Sequence, residues 1–468
     1  MIVLLCAAAS GAMFYLSQGL DDVWWLAWFA PAPLLWLAYG ETRRRLLFLA
    51  ALIAFACGQI YMVQTYLGAV PIWAMALMTC GMGSLFAAVL LFAQACWRKL
   101  PPAAASLAFP AAWTGIEYAI SLVSPHGSWG ALGYSQVGFP AAIQIASLFG
   151  LYAISFTLCF FASALALAVR GAWKAALPGF AVSALVLGFG AFHLQQPADE
   201  TLRVAALADG EGHRRVVRRL DFSASRAMTE SYAAVARQQA GRGVRFLVIP
   251  ETALAADPAW RDRALEPLAK AARDKQLTIV TGVELVKPWR NAALSFLPDG
   301  TQKSYDKRHL LLPGEDKFTP GLKPGSLGDA RSVAICKDLD FPRTLRGDAQ
   351  AGIRLMAVPA NDFVKDDWIH ARMAVMRGVE NGFAVVRAAF QGLETISDAQ
   401  GRILARAPTS GRGMTVISAD VALGPGPTLY TRIGDIFAWM CLVLTLALAA
   451  ALVRSPSGEA LRTRLSQA

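Results

Sequence analysis

The chain has 468 residues, of which 55% are hydrophobic and only 16% are charged, and it carries a formal net charge of +11 at neutral pH. With a mean hydropathy of +0.42 it is too apolar for an ordinary soluble protein of this length, so we expect a membrane protein. A nucleic-acid partner is not expected, because the chain has no aromatic-interleaved basic run, no zinc-ligand spacing and no phosphate-binding loop.

Charge is distributed unevenly along the chain. Residues 1–197 contain only seven Lys or Arg and four Asp or Glu, whereas residues 198–432 are mixed and polar. Eight apolar runs are close to or longer than the roughly 20 residues that a helix needs to cross a bilayer, so each is a predicted membrane span. The predicted spans are 2–20, 23–39, 46–66, 70–96, 103–123, 139–169, 175–195 and 434–453.

These spans predict a seven-span membrane domain over 1–197, a globular domain over 198–432, and a C-terminal transmembrane helix with a cytoplasmic tail over 433–468. A cleaved signal peptide over 2–20 is the alternative for the first span. It is disfavoured because that run has no basic n-region and a second apolar run follows almost at once.

Basic residues of the membrane domain lie in every second loop. Lys and Arg collect on the cytoplasmic side of membrane proteins, so this pattern predicts an inside N-terminus and C-terminus with residues 198–432 outside. The residues that carry the pattern are Arg43, Arg44, Arg45, Arg98, Lys99, Arg170 and Lys174, followed in the tail by Arg454, Arg462 and Arg464.

Residues 198–432 alternate strand-like runs with amphipathic helical stretches, which predicts a layered α/β domain. Three of the predicted elements end in a titratable residue. "FLVIPET" ends at Glu251, a hairpin arm is followed by Lys307 in "SYDKRHL", and "SVAIC" ends at Cys336. Such domains gather chemistry at strand ends, where loops present side chains from a rigid scaffold.

A base, a cation and a nucleophile are the minimum set for acyl transfer through a thioester. Glu251 would take the thiol proton of Cys336, and Lys307 with the backbone N–H of Lys337 would stabilise the oxyanion. Each residue alone also has a structural explanation, as a turn carboxylate, a solvated lysine or a packed cysteine. The scattered histidines have no metal-ligand spacing, so neither a metal nor another cofactor is expected.

The segments "PET", "YDKRHL" and "ICKDLDFP" resemble the nitrilase (carbon–nitrogen hydrolase) superfamily, whose domain is an α-β-β-α sandwich. Placed between membrane spans, and together with "HGSWGALGYSQ", "QIASLFGLYAISF" and "PTLYTRIGD", they resemble the apolipoprotein N-acyltransferase family. The resemblance implies a multi-pass protein of the bacterial inner membrane whose catalytic domain is periplasmic. Cys336 would accept an acyl chain from a phospholipid and pass it to the N-terminal amine of a lipoprotein.

In this resemblance Glu251 is the base, Lys307 the oxyanion partner and Glu315 a second carboxylate. The predicted substrate-binding or supporting residues are Glu315, Lys337, Asp338 and Asn361. The chain departs from the family pattern at several positions, which include Ile369 where the family has Gln before a His and Ile120 where it has Arg after Glu117. Lys337 and Asp338 stand where the family has Tyr-Glu, and "ANDFVKDDW" (360–368) lacks a Trp-Phe pair that lines the acyl path.

Two other functions stay open at this point. One is a membrane-bound amidase that hydrolyses a small periplasmic amide, and the other is a catalytically inactive nitrilase-like module for membrane interactions. A transporter is disfavoured because the predicted spans hold almost no charged residue beyond Glu117, whose carboxyl is either functional or a protonated structural group.

Overall fold

The computed structural model describes residues 1–197, 200–210, 220–409, 411 and 413–455. They form two compact units, one made of Met1–Gln195 with the C-terminal segment that begins at Asp435, the other made of Gln196–Gly434. Residues 198 and 199, where the predicted domain boundary falls, lie outside the described residues, as do Arg462 and Arg464 of the predicted tail.

The first unit is helical throughout, with short 3-10 helices at Trp24–Trp28 and Leu132–Gln136. Its α-helices are α1 (Ile2–Gln18), α2 (Ala32–Ala38), α3 (Arg44–Gly58), α4 (Ile60–Tyr66), α5 (Ile72–Lys99), α6 (Pro102–Ser106), α7 (Ala108–Val123), α8 (Pro140–Ile143), α9 (Ala146–Phe149), α10 (Leu151–Val169), α11 (Trp173–His193) and, at the C-terminus, α17 (Ile436–Arg454).

Five helical segments within the described residues are long and apolar enough to cross a membrane. They are Arg44–Tyr66, Ile72–Lys99, Leu151–Val169, Trp173–His193 and Ile436–Arg454. Ile2–Gln18, Trp24–Ala38 and Pro140–Phe149 are shorter apolar helical segments. The total of eight spans and their orientation stay predictions.

Several predicted spans are not single α-helices, and 139–169 is the longest of them. Residues 139–169 were expected to form one helix, but Gly150 interrupts it with φ 76° and ψ 179°, and α10 begins only at Leu151. Such a positive φ is open to glycine at no steric cost, whereas a helix cannot continue through it. The apolar run therefore contains two short helices followed by one long one.

The second unit contains two six-stranded sheets. The first has the order β12-β1-β2-β3-β4-β5 and the second the order β11-β10-β9-β8-β7-β6. The strands are β1 (Thr201–Asp209), β2 (Phe246–Ala256), β3 (Thr278–Leu285), β4 (Arg290–Phe296), β5 (Gln302–Asp306), β6 (Gly325–Gly328), β7 (Arg331–Val333), β8 (Leu355–Asn361), β9 (Ala384–Phe390), β10 (Leu393–Ser397), β11 (Ile403–Pro408) and β12 (Met414–Ala422).

Helices cover the outer faces of both sheets. They are α12 (Phe222–Gly241), α13 (Arg261–Lys275), α14 (Pro342–Ala349) and α15 (Asp367–Asn381). The unit also contains the short α16 (Leu429–Ile433) and a 3-10 helix at Cys336–Asp340. Asp221 caps α12 by accepting from the N–H of Ser223, and Gly382 ends α15 in the left-handed region.

Three apolar clusters hold these layers together. One lies between the sheets and includes Val248 and Val386, a second lies between the first sheet and the pair α12 and α13, and a third lies between the second sheet and the pair α14 and α15. The unit is therefore a layered α/β domain, as the sequence pattern predicted, with the α-β-β-α sandwich that the resemblance implied. Every residue of β2, β3 and β9 is buried, as expected for strands covered on both faces, and the few polar side chains in them are therefore buried too.

The parallel strands decide where polar side chains gather. Strands β1, β2 and β3 pair in parallel, and so do β7, β8 and β9. Parallel neighbours end at the same edge of their sheet, so the residues that follow β7 and end β8 and β9 lie next to one another. Cys336, Asn361 and Phe390 occupy that edge.

Candidate active site

A buried lysine lies between two carboxylates in the second unit. The Nζ of Lys307, just beyond β5, donates to Oε1 of Glu251 at 2.7 Å and to both carboxylate oxygens of Glu315 at 3.0 and 2.9 Å. The Lys307 side chain is only 2% exposed. Ammonium and carboxylate groups this close and this dry form a strongly coupled cluster.

Asn291 of β4 completes this cluster. Its side-chain Nδ2 donates to Oε1 of Glu251 at 2.6 Å and to Oε1 of Glu315 at 2.7 Å. Its backbone carbonyl oxygen accepts from the backbone N–H of Lys307 at 2.9 Å. Sequence reasoning missed this residue. The available signal was an asparagine at the start of a buried strand, where its amide is disfavoured unless it has a polar partner.

Burial and neighbouring charges set the protonation states of the cluster. Burial, reinforced by the charge of Glu315, raises the pKa of Glu251. Burial alone would lower the pKa of Lys307, but the charges of Glu251, Cys336 and Glu315 raise it above its ordinary value. Lys307 is therefore a fixed cation, and Glu251 has more affinity for a proton than a solvated glutamate.

Cys336 begins the 3-10 helix that follows β7, and its φ of 42° lies in the left-handed region. Non-glycine residues rarely adopt this conformation, and those that do cluster at active sites. The Sγ atom donates to the carbonyl oxygen of Asn361 at 3.6 Å. Burial and the charge of Glu251 raise the pKa of the thiol, whereas Lys307 acts in the opposite direction. The resting thiol is therefore protonated, and a base has to activate it.

Asp338 is one of the predicted substrate-binding or supporting residues, and its side chain points away from the thiol. It is fully buried and joins the loop that carries Cys336 to the loop that carries Lys307. Its Oδ2 accepts from the N–H of Ile335 at 3.0 Å and from the hydroxyl of Tyr305 at 2.6 Å. Its Oδ1 accepts from the N–H groups of Arg308 and His309 at 3.2 and 2.9 Å, and lies 3.0 Å from Nδ1 of His309.

These contacts keep Asp338 ionised. Burial alone would raise the pKa of Asp338, but the hydrogen bonds from His309, Tyr305 and Ile335 lower it. A buried carboxylate that accepts this many hydrogen bonds is a structural link between two loops, because its oxygens are already occupied.

The remaining predicted residues lie around the thiol. Lys337 is buried, and burial lowers the pKa of its ammonium, which also experiences the charges of Asp340, Lys307 and Cys336. Asn361 contributes its backbone carbonyl to the thiol and forms the end of β8. Within the described ranges, no group of three or more His, Cys, Asp or Glu residues is arranged to hold a metal ion.

Two family models match the chain. Residues 10–164 match the apolipoprotein N-acyltransferase N-terminal domain, and residues 205–425 match carbon-nitrogen hydrolase. The apolipoprotein N-acyltransferase of Geobacter metallireducens is 28% identical, with 97% of this chain and 96% of the relative aligned. That of Vibrio cholerae is also 28% identical, with 94% and 95% aligned.

Among solved structures, an amidase from Nesterenkonia sp. is similar to part of the chain. Sequence identity is 21% and the TM-score is 0.40, with 52% of this chain and 98% of the amidase covered.

Proposed function

We propose that the chain is a member of the apolipoprotein N-acyltransferase family and acylates lipoproteins through a thioester on Cys336, with a phospholipid as the acyl donor. The enzyme is an N-acyltransferase that carries a carbon–nitrogen hydrolase domain. The buried ammonium of Lys307, fixed between Glu251 and Glu315 beside a cysteine at positive φ, is the observation that carries the proposal.

In the first half-reaction the thiol of Cys336 loses its proton to Glu251. Oε1 of Glu251 already accepts from Lys307 and Asn291, so Oε2 is the atom that takes the proton. The sulfur then attacks the ester carbonyl of the phospholipid. Lys307 and the N–H of Lys337 stabilise the resulting oxyanion, and Glu251 returns the proton to the departing alkoxide, which leaves as a lysophospholipid.

In the second half-reaction the neutral N-terminal amine of the lipoprotein attacks the thioester carbonyl. Glu251 accepts a proton from the attacking nitrogen while the same two donors stabilise the oxyanion. The C–S bond breaks, the proton passes to the sulfur, and the thiol of Cys336 is restored with an amide as the product. Removing one preorganised oxyanion donor from a site of this kind lowers kcat by about 10² to 10³.

We place the catalytic unit on the periplasmic side of the bacterial inner membrane. The seven basic residues of the membrane domain in alternate loops support this orientation. Both substrates are then lipids of the outer leaflet, which the catalytic unit faces without crossing the hydrocarbon core. Protease added outside spheroplasts should cleave residues within 200–432, and full protection of that segment would contradict the orientation.

Intact mass spectrometry tests the thioester and the donor together. Wild type is incubated with phospholipid vesicles and compared with Cys336→Ala and with Cys80→Ala, which removes an exposed cysteine of the membrane unit as a matched control. We expect a fatty-acyl mass increment on wild type and Cys80→Ala but none on Cys336→Ala. Adding a lipid-modified N-terminal cysteine peptide should then remove the increment and acylate the peptide.

The thioester proposal would be contradicted if wild type gained no fatty-acyl mass while its Cys336 still reacted with a thiol reagent. Neither the small-amide hydrolase nor the inactive module is favoured, because relatives that align over more than nine-tenths of this chain are named apolipoprotein N-acyltransferases.

A further inference from the structure

A buried arginine joins three strand ends next to the nucleophile. Arg387 of β9 is 2% exposed, and its Nη1 donates to the carbonyl oxygen of Leu393, the first residue of β10, at 2.9 Å. Its Nη2 donates to Oδ1 of Asp362, the residue after β8. The N–H of Asp362 in turn donates to the carbonyl of Phe390 at the end of β9. One guanidinium therefore fixes the ends of β8, β9 and β10 relative to one another.

This junction directly supports the thiol. Asn361 immediately precedes Asp362, and its carbonyl oxygen accepts from Sγ of Cys336. The charges of both members of the ion pair also reach the thiol: Asp362 raises the pKa of Cys336 and Arg387 lowers it. A shift in Asp362 would therefore change both the position of the acceptor carbonyl and the electrostatic potential at sulfur.

The surroundings of Asp362 leave it little freedom. A Cβ atom added at Gly392 would lie 1.9 Å from Oδ2 of Asp362, so only glycine fits there. Oδ2 is buried, and among the residues that the structure describes it has no hydrogen-bond partner. Arg387 is thus the side chain that orients this carboxylate, and the absent side chain of Gly392 is the space that admits it.

We propose that Arg387 is a positioning residue for acyl transfer, which acts through Asp362 to hold the Asn361 carbonyl against the Cys336 thiol and to neutralise the carboxylate beside it. This inference rests on the proposed function and deepens it. Arginine suits the task because its planar fork donates in two directions at once, whereas lysine carries the same charge at a single point.

Five charged or titratable groups act on the thiol from the elements around it. Glu251 lies in β2, Lys307 follows β5, Lys337 is the next residue in the chain, and Asp362 and Arg387 form the pair described above. Without Arg387 the Asp362 carboxylate is uncompensated and disfavours the thiolate. Without the Asp362 charge, Arg387 favours the thiolate. The two substitutions therefore have opposite electrostatic effects on one thiol.

The test uses the full-length enzyme with Arg387→Met, Asp362→Asn and Gly392→Ala. The control is Gly347→Ala, at a site where an added Cβ has no atom within 4 Å. Peptide-resolved alkylation of Cys336 by iodoacetamide is followed against pH. The kcat for acyl transfer from phospholipid vesicles to a lipid-modified N-terminal cysteine peptide is measured in parallel.

We expect kcat to fall about tenfold or more in all three variants, because a charge-assisted hydrogen bond is lost or displaced. We expect the alkylation midpoint to rise by about one pH unit in Arg387→Met and to fall by a similar amount in Asp362→Asn. Gly347→Ala should match wild type in both measurements. A purely structural role would reduce kcat without moving the two midpoints in opposite directions.

Unchanged kcat in Arg387→Met and Gly392→Ala, or midpoints that move together, would overturn the proposal. If Arg387→Met does not fold, Arg387→Lys keeps the charge and decides the question, since it should retain the wild-type midpoint and still lose kcat. Wild-type midpoint and kcat in Arg387→Lys would likewise overturn it. If wild type never forms an acyl-enzyme, the proposed function is refuted instead. The alkylation midpoints would still test the electrostatic role of Arg387 in that case.

Discussion

Replacing Asp338 by asparagine should separate the two loops that form the catalytic cluster. The carboxylate accepts from Ile335, Tyr305, Arg308 and His309, and it is fully buried. An amide has one accepting oxygen, so in either orientation its NH₂ group faces at least one backbone N–H. Leaving a buried donor unsatisfied costs about 1–3 kcal/mol, and the surviving hydrogen bonds lose their charge assistance.

The expected destabilisation is about 3 kcal/mol. For a domain of this size that lowers the unfolding temperature by about 6–12 °C. Catalysis should suffer more, because displacing Lys307 from Cys336 by about 1 Å costs about 100-fold in kcat. Unfolding is followed by the intrinsic fluorescence of the detergent-solubilised protein during heating. Acyl transfer is measured well below the transition.

Asp420→Asn is the matched control for this substitution. Asp420 pairs with Arg203 at 2.8 Å but is 62% exposed, so losing its charge should cost less than about 1 kcal/mol. An Asp338→Asn enzyme whose unfolding temperature lies within about 2 °C of wild type and whose kcat is retained would refute the argument that this carboxylate joins the two loops.

Three further substitutions test other parts of the catalytic unit. Glu315→Gln removes one of the two carboxylates around Lys307 and should lower the kcat for peptide acylation about tenfold or more. Cys336 should still react with an alkylating reagent, and an unchanged kcat would show that Glu315 has no part in the mechanism. Burial alone would lower the pKa of His370, but Asp366 raises it to about 9. The ion pair of His370 with Asp366 stabilises the fold fully below about pH 6.5, and this contribution is lost as the pH rises through about 9. The unfolding temperature of wild type should therefore fall over that pH range, whereas that of His370→Gln should not show this fall. In Gly321→Ala the new Cβ would lie 2.1 Å from the carbonyl oxygen of the residue before Lys307, so both kcat and the unfolding temperature should fall, and wild-type values for both would contradict this contact.

The ends of the parallel strands were predictable because topology forces them together. Cys336 could be recognised as a candidate from an apolar run that ends in a titratable residue. Glu251 was also expected at a strand end, but β2 continues to Ala256 with a register shift between Ile249 and Leu254, so this carboxyl lies at an irregularity within the strand. Asn291 and Arg387 could not be recognised, because each lies in a strand whose pattern reports burial and not which polar partner crosses from another strand. Asp338 was recognised by its position next to the nucleophile, but the 3-10 turn directs its side chain inward.

The membrane helices illustrate a different limit. Hydropathy measures how apolar a run is and contains no information about the backbone at a single residue. The run 139–169 therefore predicted one span, although Gly150 divides it. The sandwich, in contrast, followed from alternating elements and from the resemblance of the motifs at their ends.

Burial raises the pKa of the Cys336 thiol and of the Glu251 carboxyl in the same direction. With Lys307 held as a cation, moving the proton from sulfur to Glu251 changes where the negative charge lies and not how much of it the cluster holds. A low-dielectric interior opposes the creation of charge far more than its relocation within a compact group. The same desolvation that makes the thiol a poor acid toward water also raises the proton affinity of its partner, so thiolate formation can proceed as an internal proton exchange that creates no additional charge.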